Sequence, residues 1–219
     1  MRVLVACEFS GIVSAAFRKR GHDAWSCDLL PSEGDPAWHI QGDVLDILDW
    51  FWVPKGMPGE GRGWKWDMMI AHPPCTYLTV TANKWLKDQP RRKSGALVGA
   101  ERRAAREEAV MFFTRLANAP IEKVCIENPV GTMSTRWRKP DQIVCPTMFG
   151  HKEPKKTCLW LKGLPKLEPT DIVEPEYSMT KSGKRIPTWY HMPSPSDRRQ
   201  KDRNRTFTGI ANAMASQWG

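Results

Sequence analysis

The sequence lacks several features that mark common classes of protein. None of its six cysteines stands in a Cys-x-x-Cys pair and its five histidines form no ligand pattern, so neither a zinc site nor a disulfide framework is indicated. No apolar run approaches the roughly 20 residues that span a bilayer, and the apolar start is too quickly followed by Glu8 to be a signal peptide. A Gly-x-Gly-x-x-Gly turn and a Walker loop are missing, which argues against dinucleotides and ATP. These absences predict a cytoplasmic protein with reduced thiols, no metal and no membrane partner.

Positive charge and tryptophan are abundant. The chain has 33 Lys and Arg against 24 Asp and Glu, a net charge of +9, and 11 tryptophans. Two basic segments, 84–106 and 181–205, each hold eight Lys or Arg against two acids. Basic groups interleaved with aromatic rings suit a polyanion whose bases can stack. Solvated loops with ordinary core tryptophans are the alternative that composition leaves open.

Short apolar runs alternate with helical patterns along the chain. Strands are predicted at 2–7, 23–30, 68–71, 121–129 and 157–163, and helices at 11–21, 99–119 and 208–218. The long helix is expected to have an apolar face through Ala100, Ala104, Val110, Phe113 and Leu116. The alternation predicts one α/β domain with an open, mostly parallel sheet and helices on both faces.

Ligands of such sheets bind beyond the carboxyl ends of the strands. That rule places residues 8–11, Asp28, Asp43, 73–76 and 127–128 along one rim. An acid closing the second strand, as Asp28 does, suits the hydroxyls of a ribose. Alone, this indicates a nucleoside-like ligand without a pyrophosphate, and a structural turn explains the same residues equally well.

In this order, the segments resemble the DNA cytosine-5 methyltransferases over about residues 2–162 and 205–218. "EFSG" stands where that family has Phe-Ala-Gly in its cofactor loop, and "GDV" where it has Gly-Asp-Ile. "IAHPPCT" matches the Gly-x-Pro-Cys-Gln turn of the nucleophile, and "IENP" matches Glu-Asn-Val. "FGHKEPKKTCLWL" aligns with Tyr-Gly-x-Pro-Gln-x-Arg-x-Arg-x-apolar, and "GIANAMA" with a C-terminal Gly-Asn-Ala-Val helix. The pattern "FGH" followed by "LWLKGLPKL" is also similar to short phage-type reading frames described as cytosine methyltransferases.

The resemblance implies a Rossmann-like, S-adenosylmethionine-dependent methyltransferase fold that transfers a methyl group to carbon 5 of cytosine. It makes Cys75 the nucleophile and Glu127 the acid beside ring nitrogen 3, while Lys155 would supply a cation that favours the thiolate. The cofactor residues that it implies are Glu8, Phe9, Ser10, Gly11, Asp28, Leu29, Asp43, Val44, Pro73 and Asn212.

A duplex base cannot reach such a site, so the expected partner is double-stranded DNA with a flipped cytosine, or single-stranded DNA. The protein is expected to act as a monomer, without a metal, in a bacterium or a phage-infected host cell. DNA contacts are assigned to Lys155 and to Thr76, Lys84, Arg91, Arg92, Lys93, Lys156, Lys184, Arg185, Arg198, Arg199, Lys201 and Arg203.

The family pattern divides the chain into a catalytic core at 1–163, a reduced target-recognition insertion at 164–205 and a C-terminal helix at 206–219 that returns to the core. The short insertion predicts a short or degenerate target. The family's glutamine after the nucleophile is Thr76 here, and its Gln-x-Arg-x-Arg positions read Glu153, Lys155 and Thr157. Two alternatives stay open: a related enzyme acting on carbon 5 of a pyrimidine in RNA or a free nucleotide, and a catalytically silent nucleic-acid-binding protein.

Overall fold

The computed structural model describes residues 1–48, 65–180, 182–188 and 205–219. Its strands are β1 (Arg2–Ala6), β2 (Asp23–Asp28), β3 (His39–Gln41), β4 (Met68–Ala71), β5 (Lys123–Pro129), β6 (Gln142–Val144), β7 (Thr157–Lys162), β8 (Tyr177–Met179) and β9 (Arg185–Pro187). Its α-helices are α1 (Ile12–Arg18), α2 (Gly99–Ala117), α3 (Met133–Arg136) and α4 (Thr208–Trp218).

Seven strands form one sheet in the order β3–β2–β1–β4–β5–β7–β6. The first five in that order are parallel, whereas β7 runs antiparallel to both of its neighbours. The α/β class and the mostly parallel sheet are thus confirmed. A short antiparallel pair, β8–β9, forms a second sheet inside the predicted target-recognition insertion at 164–205.

The sheet has a core on each face because successive side chains of a strand point to opposite sides. On one face, Leu4 and Met69 pack in a cluster with Phe113 of α2. On the other, Val3 and Met68 pack in a cluster that includes residues of α1 and α4. Helices therefore cover both faces, as predicted. Burial on both faces also explains why β1 and β4 read as continuous apolar runs.

The strand order locates a ligand crevice. The chain proceeds outward from β1 to β2 and β3, and then returns to the other side of β1 with β4 and β5. The point where the direction of winding reverses lies between β1 and β4, and doubly wound sheets bind ligands outside the carboxyl ends of the strands at such a point. The three strands end at the same level here, since Ala6 of β1 lies opposite both Cys27 of β2 and Ala71 of β4.

The predicted face of α2 is wrong in its first half. Ala100 and Ala104 are exposed, whereas Arg102 and Arg106 are buried. The reason is that this part of α2 packs against the polar backbone of a loop rather than against the sheet, so hydrogen-bonding capacity replaces apolar surface. The second half follows the prediction, with Phe113 and Leu116 fully buried among other residues of the core.

Strands β3 and β6 were not predicted; each is only three residues long, too short to show a period. Among the residues that the structure describes, no helix has the length and apolar character needed to cross a membrane.

Candidate active site

A cleft opens beyond the carboxyl ends of β1, β2, β4 and β5. It is lined by residues predicted for two different purposes. Three of them were predicted to bind the cofactor, namely Phe9, Asp28 and Pro73, and three to perform the chemistry, namely Cys75, Glu127 and Lys155. The structure therefore brings both predicted groups together in one space. Thr76 also lines the cleft, as do Phe207 and Ile210 from the segment that leads into and begins α4.

Cys75 sits on a turn that leaves β4 through two prolines. The backbone N–H of His72 still donates to the carbonyl of Ala6 at 2.9 Å, so the turn starts from a fixed strand end. The Cys75 carbonyl accepts from the N–H groups of Leu78 and Thr79 at 3.0 and 3.1 Å. The prolines limit the backbone of residues 73 and 74 because each ring fixes its φ. The thiol is consequently held half-buried at the edge of the sheet.

The surroundings of Cys75 keep its thiol protonated. Burial raises the pKa of Cys75 above its usual 9.0, and the negative charge of Glu127 raises it further. Lys155 and a hydrogen bond from the backbone lower it, but they do not outweigh the other two causes. From the sequence, Lys155 was expected to favour the thiolate, and an opposing effect of a neighbouring carboxylate was not predicted.

Glu127 is held by both neighbouring strand ends. Nδ1 of His72, just after β4, lies 3.1 Å from Oε2 of Glu127, and the hydroxyl of Thr157 in β7 donates to Oε1. Burial alone would raise the pKa of Glu127. The hydrogen bond and charge of His72, the charge of Lys155 and the hydrogen bond from Thr157 outweigh burial and lower that pKa. Glu127 is therefore ionised at neutral pH and fixed in orientation.

Three of the predicted cofactor residues, Glu8, Ser10 and Gly11, do not line the cleft and instead shape the start of α1. Glu8 is buried, and its carboxylate accepts from the N–H groups of Val13 and Ser14 at 2.6 and 3.2 Å, which satisfies the first turn of α1. Ser10 makes a weaker bond to the N–H of Ile12 at 3.4 Å. Gly11 adopts a positive φ of 69° directly before α1, a conformation that favours glycine.

The remaining cofactor predictions fall at or beyond the edge of the cleft. Asp43 accepts from the N–H of Leu45 at 2.9 Å. Burial, and after it charges that include those of Asp28 and Asp43, raises the pKa of Cys7, which lines the cleft. Leu29 is largely exposed and Val44 belongs to the core. Asn212 lies in a separate shallow depression between α1 and α4 and does not line the cleft.

The predicted DNA contacts are only partly described. Lys84, Arg91, Arg92 and Lys93 are exposed, and the cationic groups of Lys84 and Arg92 lie 4.9 and 4.1 Å from the centre of the Trp85 ring. Arg91 pairs with a carboxylate, that of Glu101. Lys156, Lys184 and Arg185 are exposed as well, whereas four predicted contacts lie outside the described residues: Arg198, Arg199, Lys201 and Arg203.

Sequence reasoning missed His72 and the role of Thr157 as partners of Glu127. A usable signal existed for His72. Once β4 and β5 are paired in parallel with Ala71 opposite Ile126, the next residues along both strands, His72 and Glu127, become neighbours. Thr157 could not be placed in the same way, because its position depends on the antiparallel register of β7.

Neither a scan against protein-family models nor a search of curated proteins finds a match to this chain. Across the described ranges, no three His, Cys, Asp or Glu side chains come together as a group that could hold a metal ion. The function is therefore inferred from the cleft and from the motifs that line it.

Proposed function

We propose that the protein is a DNA cytosine-5 methyltransferase that transfers a methyl group from S-adenosylmethionine through a covalent adduct on Cys75. One observation carries the proposal: a single cleft, at the winding reversal of a doubly wound sheet, is lined by Cys75 and Glu127 and also by Asp28 and Phe9. These residues come from four separate sequence motifs. Because the four motifs also occur in the order found in the methyltransferase family, their meeting in one cleft supports the resemblance to that family.

The chemistry of cytosine explains the thiol. Carbon 5 of the ring is a poor nucleophile because the ring is aromatic. When the sulfur of Cys75 adds to carbon 6, that aromaticity is lost and carbon 5 becomes enamine-like. The turn at residues 73–75 holds the sulfur at the edge where the base would enter. After a methyl group has been transferred to carbon 5, loss of the proton from that carbon to a base and expulsion of the sulfur from carbon 6 would restore the ring and release Cys75.

Glu127 is positioned for proton transfer at ring nitrogen 3. Its carboxylate lines the same cleft as the thiol, and His72 and Thr157 hold one oxygen each. A proton delivered to nitrogen 3 draws electrons away from carbon 6 and favours addition of the sulfur. Lys155 also lines the cleft, and its charge lowers the pKa of both Cys75 and Glu127.

The donor set at the other part of the cleft fits an adenosine without a pyrophosphate. Asp28 offers a carboxylate at the end of β2, where acids bind ribose hydroxyls in related sheets. Phe9 supplies an apolar ring to the same space. The resemblance assigns Asp43 to the adenine amino group, but Asp43 is not among the residues that line the cleft. S-adenosylmethionine, when bound, would supply an electrophilic methyl group on a sulfonium.

A polyanionic substrate fits the exposed basic residues of the segment 84–106 better than a single nucleotide does. Lys84 and Arg92 flank an indole ring, the combination that binds phosphates and stacks on bases. Residues 164–205 would then serve as a small target-recognition segment, with a short or degenerate target.

Transfer of labelled methyl from S-adenosylmethionine to DNA, RNA and dCMP, followed by nucleoside analysis, tests the proposal. We expect label in 5-methylcytosine of DNA, none with Cys75→Ser, and full activity with Cys145→Ser, whose thiol is half-buried outside the cleft. Label only in RNA or dCMP would favour the related pyrimidine enzyme. No transfer to any substrate, with intact nucleic-acid binding, would favour a silent binding protein.

A further inference from the structure

Helix α2 buries two arginines on the side that faces the turn of Cys75. Arg102 and Arg106 are one helical turn apart, with exposed fractions of 5% and 7%. Neither forms an ion pair within the described residues. Burial lowers the pKa of Arg106, and the charge of Arg102 lowers it further. Burying two like charges side by side is costly unless their donors are well used.

Two of the guanidinium hydrogen bonds go to the backbone that directly follows the thiol, while Arg102 Nη1 donates to the carbonyl of Leu97 at 3.3 Å and the buried Arg102 Nε has no partner among the described residues. Arg102 Nη2 donates to the carbonyl of Thr76 at 3.1 Å, and Arg106 Nε donates to the carbonyl of Tyr77 at 2.8 Å. Arg106 Nη2 also donates to Oδ1 of Asn83 at 2.8 Å, which ties in the next part of the loop. Two successive carbonyl groups after Cys75 are thus each held by a different arginine.

The turn is held from its other side by β5. Asn128, the residue after Glu127, is buried, and its Nδ2 donates to the carbonyl of Pro73 at 2.7 Å. The backbone is therefore fixed two residues before Cys75 and one and two residues after it. Three buried polar side chains, those of Arg102, Arg106 and Asn128, thus donate to the backbone of this one turn.

We propose that Arg102 and Arg106 are positioning residues, which hold Cys75 in the geometry that its reaction needs and keep the thiol half-buried. They act through the loop and touch no reacting atom. A planar guanidinium can bond to two separate acceptors at once, whereas an ammonium is a single point charge, so lysine would not replace arginine fully. The kinetic consequence rests on the proposed function, but the effect on the thiol does not.

The test measures alkylation of each cysteine by iodoacetamide, with peptide mass spectrometry, in wild type, Arg106→Met and Arg106→Lys. Arg115→Met is the matched control, because Arg115 lies on the same helix and is exposed. We expect Arg106→Met to speed alkylation of Cys75 alone, with Arg106→Lys intermediate and Arg115→Met like wild type. Hydrogen exchange at Leu78 and Thr79, whose N–H groups bond to Cys75, should rise in the same order.

Buried Cys125 and Cys158 report on the whole fold. If they become reactive together with Cys75, the arginines support the fold as a whole and the specific role is overturned. An unchanged alkylation rate of Cys75 in a folded Arg106→Met protein also overturns the positioning role. In methyl transfer, displacement of a reacting group by about 1 Å costs roughly 100-fold, so kcat should fall by about that factor while the KM for S-adenosylmethionine stays near wild type. Absence of transfer in the wild type would refute the proposed function and leave the alkylation result to decide on the arginines.

Discussion

Replacing Asp28 by asparagine tests the proposed cofactor site, because the substitution should weaken ligand binding but leave folding intact. Oδ1 of Asp28 accepts from the N–H of Leu30 at 2.9 Å, and the side chain also lines the cleft. Asparagine keeps an acceptor oxygen for the Leu30 amide but loses the charge and the second acceptor. The turn after β2 should therefore persist, while a hydroxyl in the cleft would lose a charged partner.

The expected loss of affinity is that of one hydrogen bond between a ligand hydroxyl and a carboxylate. Such bonds contribute about 1.5–3 kcal/mol, and each 1.4 kcal/mol is a factor of ten in Kd, so affinity for S-adenosylmethionine should fall by roughly 10- to 150-fold. Isothermal titration calorimetry of wild type and Asp28→Asn measures this directly. The free energy of unfolding, from urea titration, should change much less.

Asp35 provides a matched control for this substitution. Its Oδ1 accepts from the N–H of Ala37 at 2.9 Å, the same local bond at the same distance, but it is exposed and does not line the cleft. Asp35→Asn should bind S-adenosylmethionine as wild type does. Unchanged affinity in Asp28→Asn would refute the assignment of the cofactor site. Equal weakening in both variants would show that the loop, and not the carboxylate in the cleft, governs binding.

Four further predictions concern the thiol, its neighbouring carboxylate and the second basic segment. DNA with 5-fluorocytosine should trap Cys75 as a covalent adduct when S-adenosylmethionine is present, because fluorine blocks the proton loss that releases the enzyme; Cys75→Ser should give neither adduct nor transfer, and transfer at the wild-type rate would exclude the role. Glu127→Gln should lower the pKa of Cys75 and speed its alkylation at fixed pH, because a charge that raises that pKa is removed; an unchanged alkylation rate would contradict the coupling. The folded state lowers the pKa of Glu127 from 4.5, so the ionised carboxylate stabilises the fold above that pH, and this stabilisation is lost as the pH falls through the lowered value. The free energies of unfolding of wild type and Glu127→Gln, from urea titration, should therefore converge in acid. A difference that stays constant with pH would argue against this. Charge neutralisation in the segment 181–205 should weaken binding to all DNA sequences alike and flatten the salt slope by up to about three units, which fluorescence anisotropy can test with a triple variant of Arg198, Arg199 and Lys201.

The rim of the site was predictable because a strand end is a local feature. An apolar run followed by a polar or proline-rich turn marks the end of a parallel strand, and all such ends meet at one edge. Phe9, Asp28, Cys75 and Glu127 were located by this rule, and the structure places all four in one cleft. No long-range contact had to be known beyond the parallel order of the strands.

The supporting contacts were not predictable in the same way, since they depend on how distant segments pack. Arg102 and Arg106 look like a charged surface in sequence, and only the position of the loop after Cys75 makes their burial possible. Glu8 stands in a loop motif that predicts ligand binding, yet its carboxylate is occupied by the start of α1. An acid near a helix start can serve either purpose, and the pattern alone does not distinguish them.

The thiol of Cys75 carries a proton that it must lose before it can act as the nucleophile of the proposed reaction. In this structure the pKa of Cys75 is raised and that of Glu127 is lowered, so the thiol is protonated and the carboxylate is ionised. The proposed reaction needs the reverse, a thiolate and a proton at Glu127, and one proton moved from sulfur to carboxylate supplies both. A base entering the cleft would exclude water around Glu127, which disfavours its charge and raises its pKa. Once Glu127 is neutral, the main charge that opposes the thiolate is gone and Lys155 still favours it. Under the proposed function, protonation of Glu127 would therefore lower the pKa of Cys75, while burial, the largest cause that raises this pKa, would remain.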